Sequence, residues 1–422
     1  MIFDKKSATY KFNTQSVVVG YDLGEKVSQI SVAHLNGKEP ETLSTVAGGE
    51  QYNIPTVLCK RHEVNQWFYG KEAVKNADEG EGILVGNLIS RTREGKPVDV
   101  EGMQVNPIEL LALFVKKSFS MLGMVTTSSN VVAVMITVDR LDARMVEILL
   151  QVMEELNIRK ETVYFQSHEE SAFYYIMNQS AELWKYQVGI CDFEHGFLKT
   201  YCLETNKRTI PMVSFIEEKD YPGIVGRNDE QFLKAAVDLC KERIISSVFL
   251  IGEDFQGEWC KRTLGYLCNG RRVFQGNNLY SKGACYAIME KVTPGTLSKE
   301  YVFLGKEKLK SNIGMKIVKN NDEAYYVLLD AGENWYDAKK EVDFLLEAGN
   351  TISIYITPLN ETENKVADII LSGIPMRPRC TTRVHMEVSL RTENILHVFC
   401  KDMGFGDIFK SMDLEWREEF QI

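Results

Sequence analysis

The stretch Val17–Val32, VVVGYDLGEKVSQISV, sets two apolar runs on either side of a short polar turn. Valine and isoleucine are β-branched and suit a pleated strand, and Gly24 frees the chain to reverse, so the segment reads as strand, tight turn, strand. Asp22 then stands at the mouth of a hairpin. Taken singly, such an aspartate is ordinary turn chemistry, bonding to nearby backbone amides. A second segment, VGICDFEHGFLKTYCLE (Val188–Glu204), repeats the arrangement with Asp192 before a turn that contains Gly196.

Outward from these hairpins the chain shows one plan twice. Up to about residue 100 it alternates short strand-like runs with turns. There follow a helical pattern at Asn106–Val125, a buried strand at Asn130–Val138, an amphipathic helix at Leu141–Ile158, a strand at Thr162–Ser167 and a helix at Glu169–Trp184. The second round has three strands from Tyr186 to Glu218, a helix at Asn228–Ile244, a strand at Ser246–Gly252, and helices at Gly257–Cys268 and Leu279–Val292. After about Thr293 helical periodicity fades, and alternating strands separated by turn residues predict an antiparallel β-sandwich.

Lys and Arg total 49 against 59 Asp and Glu, a net charge of −10, which excludes a general electrostatic footprint for nucleic acid or for an anionic membrane. No apolar run is long enough to span a bilayer, and the start, MIFDKKSATYKFNTQ, lacks the apolar core of a secretion signal, so the cytoplasm is the expected location. The nine cysteines are scattered and form no C-x-x-C pair, as expected of buried thiols in a reducing compartment.

In order and content these segments resemble the 70-kilodalton heat-shock chaperone family, within the actin-like (ribonuclease H-like) ATPase superfold. GYDLGEKVSQISV is similar to that family's first phosphate hairpin, Val188–Glu204 to its second, SHEESAFYYI (Ser167–Ile176) to its NEPTAAALAY segment, and VFLIGEDFQGEWCKRTLGYL (Val248–Leu267) to its adenosine motif. The resemblance extends through VADIILSGIPMRPRCTTRVHMEVSLRTENILHVFCKD (Val366–Asp402), which matches the chaperone sandwich strand by strand through its GIP, Pro-Arg and NIL elements. It implies an α/β fold. A duplicated actin-like ATPase domain over 1–295, lacking one subdomain, would lead through a linker at 296–310 into a β-sandwich over 311–422 resembling the peptide-binding domain.

The resemblance implies ATP and magnesium as cofactors, with Asp22, Glu169 and Asp192 as surviving, vestigial catalytic acids. Gly24, Glu25, Lys26, Gly196, Gly252 and Glu253 fall at the nucleotide-binding positions. Glu25 and Lys26 replace a hydroxyl pair, and Glu194, His195, Gly196 and Phe197 replace a glycine-rich run that lets the main chain approach phosphates. No lysine stands near Gly86, where the family keeps a catalytic one. The inference is a site that does not hydrolyse nucleotide, because phosphoryl transfer depends on the whole constellation being placed together. Lys26 and Lys199 would offset the added carboxylates only by pointing inward. His168 and His195, beside Asp22, Glu169 and Asp192, are of ligand type, but most such histidines are simply hydrogen-bonded, and no metal is expected.

In the sandwich, Val342, Phe344, Ile352 and Ile354 alternate as a peptide pocket requires, which is also the pattern of a sandwich core. Trp335, in a polar stretch, is read with them as a peptide contact. The expected function is therefore a chaperone-like module that binds protein or peptide clients and not nucleic acid or membrane. A slow magnesium-dependent ATPase and an actin-like scaffold are the alternatives.

Overall fold

The computed structural model describes residues 15–422 apart from 38, 47, 223, 225, 320–321 and 360–363, so most of the N-terminal segment read for a secretion signal lies outside the described residues. The chain divides into two compact units. Among the described residues, one takes in those up to Lys207 together with Ser214–Tyr301, and the other Arg208–Val213 together with Val302–Ile422.

The first unit contains an α/β arrangement of two sheets. In the first sheet, strands β1 (Val17–Leu23), β2 (Val27–His34), β3 (Glu41–Thr42), β4 (Val131–Val138) and β5 (Val163–Ser167) stand in the order β5-β4-β1-β2-β3. The second contains β6 (Gln187–Glu194), β7 (Phe197–Asn206), β8 (Met212–Tyr221, in this unit from Ser214), β9 (Ile245–Ile251) and β10 (Arg272–Gln275) in the order β10-β9-β6-β7-β8. In each sheet an antiparallel hairpin lies beside two parallel strands. The two sheets thus have the same strand order. All seven residues of β1 are buried, as expected of a central strand covered on both faces.

The helices that matter for the site are α1 (Leu88–Glu94), α2 (Ala143–Glu155), α3 (His168–Met177), α4 (Asp229–Cys240), α5 (Lys261–Leu267) and α6 (Leu279–Val292). Side chains cap several of them: Asp142 accepts from Met145 N, Ser167 from Glu170 N, and Asn228 from Glu230 N and Gln231 N. The helix expected to run to Trp184 ends at Met177, and Trp184 Nε1 closes the following turn on Gln179 O. Small residues bring α6 close to its neighbours. A Cβ on Gly20 of β1 would lie 2.2 Å from Ser281 O, and one on Gly283 would lie 1.9 Å from Ser171 O of α3. Ala133, Ala284, Cys285 and Ala287 pack at the same contact.

The second unit contains two four-stranded antiparallel sheets. One has the order β12-β11-β14-β15, from β11 (Ser311–Lys319), β12 (Asp322–Leu329), β14 (Thr351–Pro358) and β15 (Lys365–Ile370). The other has the order β13-β16-β17-β18, from β13 (Lys339–Leu346), β16 (Thr382–Thr392), β17 (Ile395–Gly404) and β18 (Glu415–Gln421). Both contribute to one core. That core corrects the peptide-pocket reading. Val342, Ile352 and Ile354 are buried in it, Phe344 packs against it, and Trp335 is only 8% exposed. Val342 and Phe344 come from one sheet and Ile352 and Ile354 from the other, so their alternation fills the space between sheets. Trp335 lies in a polar stretch, yet its ring is inside.

A buried ion pair locks the loop that carries Arg377 to the end of β17. Arg377 bonds Asp402 in bidentate fashion at 2.8 and 2.8 Å, with side-chain exposures of 2% and 0%, and Asp402 also accepts from Gly404 N and Met412 N.

Candidate functional site

Asp22 and Asp192 occupy matching places near the ends of β1 and β6, opposite Gln29 and Lys199 in their hairpins. A chain of side chains joins them. His168, the first residue of α3, places Nε2 2.8 Å from Asp22 Oδ1. Its ring stacks on Tyr280 of α6, with centroids 3.9 Å apart and planes at 10°. Tyr280 Oη donates to Asp192 Oδ2 at 2.8 Å. Asp22, His168, Glu169 and Tyr280 are all buried.

Burial and charge set the protonation states. For His168, burial disfavours the charged ring, but Asp22 beside it, with Asp139 and Asp192 further off, outweighs this and raises the pKa. The Asp22 contact thus favours the charged ring. Burial pushes Asp192 up to about 6 despite the Tyr280 hydrogen bond, which favours its charged form. Glu194, beside the second turn, is pushed up to about 7 by burial first and then by Asp192, Asp22 and Glu253.

The sign follows for pH. In an unfolded chain Asp and Glu titrate near 3.9 and 4.3 and His near 6.5, so between about pH 5 and 8 the folded unit holds more protons than the unfolded one. Stability contributed by the His168 pair is present below pH 6.5 and is lost as pH rises through the folded value. The burial penalty on Asp192 and Glu194 grows over the same range. We expect this unit to melt roughly 5 °C higher at pH 5.5 than at pH 8, a gain of about 2 kcal/mol, and Asp192→Asn to flatten that slope. Thermal unfolding followed by circular dichroism across this range checks it, and an unchanged slope in the variant contradicts it.

The residues at the nucleotide-binding positions are engaged within the protein. Glu25 accepts from Ser90 N at 3.0 Å and Ser90 Oγ at 2.8 Å, and Lys26 Nζ donates to Asn87 Oδ1 at 2.6 Å, so both grip the start of α1. Gly24 makes a tight turn in which a Cβ would lie 2.3 Å from Val27 O. At the second hairpin His195 and Gly196 both have positive φ, 51° and 78°, the combination a two-residue turn of this hand requires. The Gly196 amide donates to Asp254 Oδ2 at 2.7 Å. Gly252, at φ 102°, passes so close to Phe193 O that a Cβ would lie 2.1 Å away. Glu253 accepts from Asn53 Nδ2. Lys199 pairs with Asp139 at 3.1 Å and Glu218 at 3.7 Å. Phe197 is 67% exposed.

The structure therefore brings Asp22, Asp192 and His168 into one network. Tyr280, Asp139, Asp254 and Asn53 are the partners that sequence reading missed. Among the described residues no cluster of three or more His, Cys, Asp or Glu is arranged to hold a metal ion. All nine cysteines are free thiols, with Cys268 and Cys380 exposed and the rest buried. Among the described residues no helix is long and apolar enough to cross a membrane.

These features define an α/β protein with two sheets of shared plan, an acid-rich network within them, and a further unit built largely of strands. A model of a family of unknown function, DUF5716 (its C-terminal part), matches residues 39–306, and one of a domain of unknown function, DUF8552, matches residues 308–422. The first match spans more than half of the chain, and the chain belongs to the DUF5716 family. None of the curated proteins compared with it matches.

Proposed function

We propose that this chain is a divergent relative of the 70-kilodalton heat-shock chaperones, with an actin-like ATPase domain that no longer works on nucleotide and a β-sandwich domain, and that it acts by binding protein or peptide partners. The observation that carries this reading is the closed chain Asp22, His168, Tyr280, Asp192. In such a fold the two acids would hold hydrated magnesium and the hairpin amides would cradle phosphates. Here each acid already has a protein partner, and the Gly196 amide is taken by Asp254. Asp22, Asp192, Glu194 and Glu253 are close enough to act on one another or on a shared neighbour, so a polyphosphate would meet negative charge. The nearby cations Lys26 and Lys199 are directed to Asn87 and to Asp139 and Glu218. The residues do not fit magnesium triphosphate.

Calorimetric titration of the whole chain with magnesium and ATP tests this. The expected result is no binding heat up to millimolar nucleotide. Micromolar binding, with phosphate release that Asp192→Asn abolishes, would overturn it in favour of a slow ATPase.

A further inference from the structure

A cavity of about 460 Å³ opens where β9 and β10 begin, on residues that the acid network does not use. Lys185, Arg271 and Arg272 line it together with Tyr186 and Ile244, and Glu182 is its one acid. In a chain of net charge −10 this is a local excess of positive charge. Arg272 pairs with Glu182 at 2.9 Å, while the guanidinium of Arg271 lies over the Tyr266 ring at 5.4 Å and donates to Tyr266 O. Lys185 Nζ lies 5.5 Å from the centre of the Tyr186 ring. Tyr186 and Ile244 are 53% and 67% exposed, so the cavity offers bare apolar surface between its cations.

Beside it runs an open sheet edge. β10 pairs with β9 from Arg272 to Gln275 and stands last in its sheet, with no strand of the described residues on its other side. A strand edge presents backbone donors and acceptors to any extended chain that reaches it. Cations along the edge repel basic segments and attract acidic ones.

We propose that this cavity, at the strand starts beside the β10 edge, takes an acidic segment of a partner protein, with carboxylates on Lys185, Arg271 and Arg272 and an apolar side chain on Tyr186 and Ile244, an inference that rests on reading the chain as a binder of protein partners. The exposed thiol of Cys268 lies on the cavity wall and reports occupancy.

The test uses the full chain carrying Cys380→Ser, so that Cys268 is the remaining exposed thiol. Fluorescence polarisation is read with a tagged eight-residue peptide of alternating glutamate and valine, and with its glutamate–serine counterpart. The glutamate–valine peptide is expected to bind at micromolar concentration and to slow alkylation of Cys268. The double variant Arg271→Glu, Arg272→Glu should bind it about tenfold more weakly, and added salt should weaken it further. Equal affinity for the double variant, equal binding of the serine peptide, or binding of neither peptide would overturn the proposal. Should the double variant fail to fold, Lys185→Glu replaces it, with an expected loss of about threefold. None of these outcomes depends on whether the chain binds nucleotide.

Discussion

Replacing Asp402 with asparagine is expected to destabilise the unit built from residues 302–422 by about 3–5 kcal/mol, because it leaves the Arg377 guanidinium buried without its counter-charge. The pair is almost wholly out of solvent, with both carboxylate oxygens held by Arg377 and by the amides of Gly404 and Met412. Burial alone would raise the Asp402 carboxyl, but Arg377 and those amides outweigh it and hold the group below its ordinary range. Its contribution is therefore complete above about pH 4 and is lost as the pH falls through the depressed folded value. Urea denaturation followed by tryptophan fluorescence measures the loss, since Trp335 and Trp416 belong to this core. Replacing both partners with apolar residues, Arg377→Met with Asp402→Leu, should recover most of it. A loss below about 1 kcal/mol for Asp402→Asn would mean that water reaches the guanidinium and that the Arg377 loop is not locked to β17.

The second large effect is expected at Gly283. An alanine there sets a methyl group 1.9 Å from the backbone oxygen of Ser171, and main chain cannot swing aside as a flexible side chain can. Helices α3 and α6 must separate, at a cost of about 3 kcal/mol or more. Because His168 begins α3 and Tyr280 lies in the first turn of α6, the same displacement pulls their stacked rings apart. Gly283→Ala should thus lower stability and also flatten the dependence on pH between 5.5 and 8. Gly20→Ala meets Ser281 O at 2.2 Å on the same helix, so the double variant should cost less than the sum of the two. Full additivity in a thermal or urea series would show that α6 does not move as one body.

Much of the fold was legible because hydrophobic period and turn chemistry are local signals. The Val17–Val32 and Val188–Glu204 hairpins are where their β-branched runs and glycines predict, and the acids Asp22 and Asp192 fall at matching places. The site was legible in part. Sequence spacing marks Asp22, Asp192 and His168 as neighbours of turns and caps, but it cannot tell that Tyr280 reaches Asp192 across 88 positions or that His168 reaches Asp22 across 146. Such contacts are set by how α6 lies over β1, which the tight approach at Gly20 decides. The peptide-pocket residues show the opposite failure. Alternation along Lys339–Leu346 and Thr351–Pro358 states that one face is buried without stating what covers it, and the cover is the other sheet. Arg377 carries no such local signal, since a guanidinium in a proline-containing loop ordinarily faces solvent. Its burial depends on Asp402, 25 positions away.

Helix α6 packs over β1, yet the two are made far apart in time. About 270 residues separate Gly20 from the end of that helix at Val292. At roughly 5–20 residues per second on the ribosome, the buried face of the first strand waits some tens of seconds for its cover. The nascent chain must be shielded over that interval, and the unit can complete its folding only when this helix arrives.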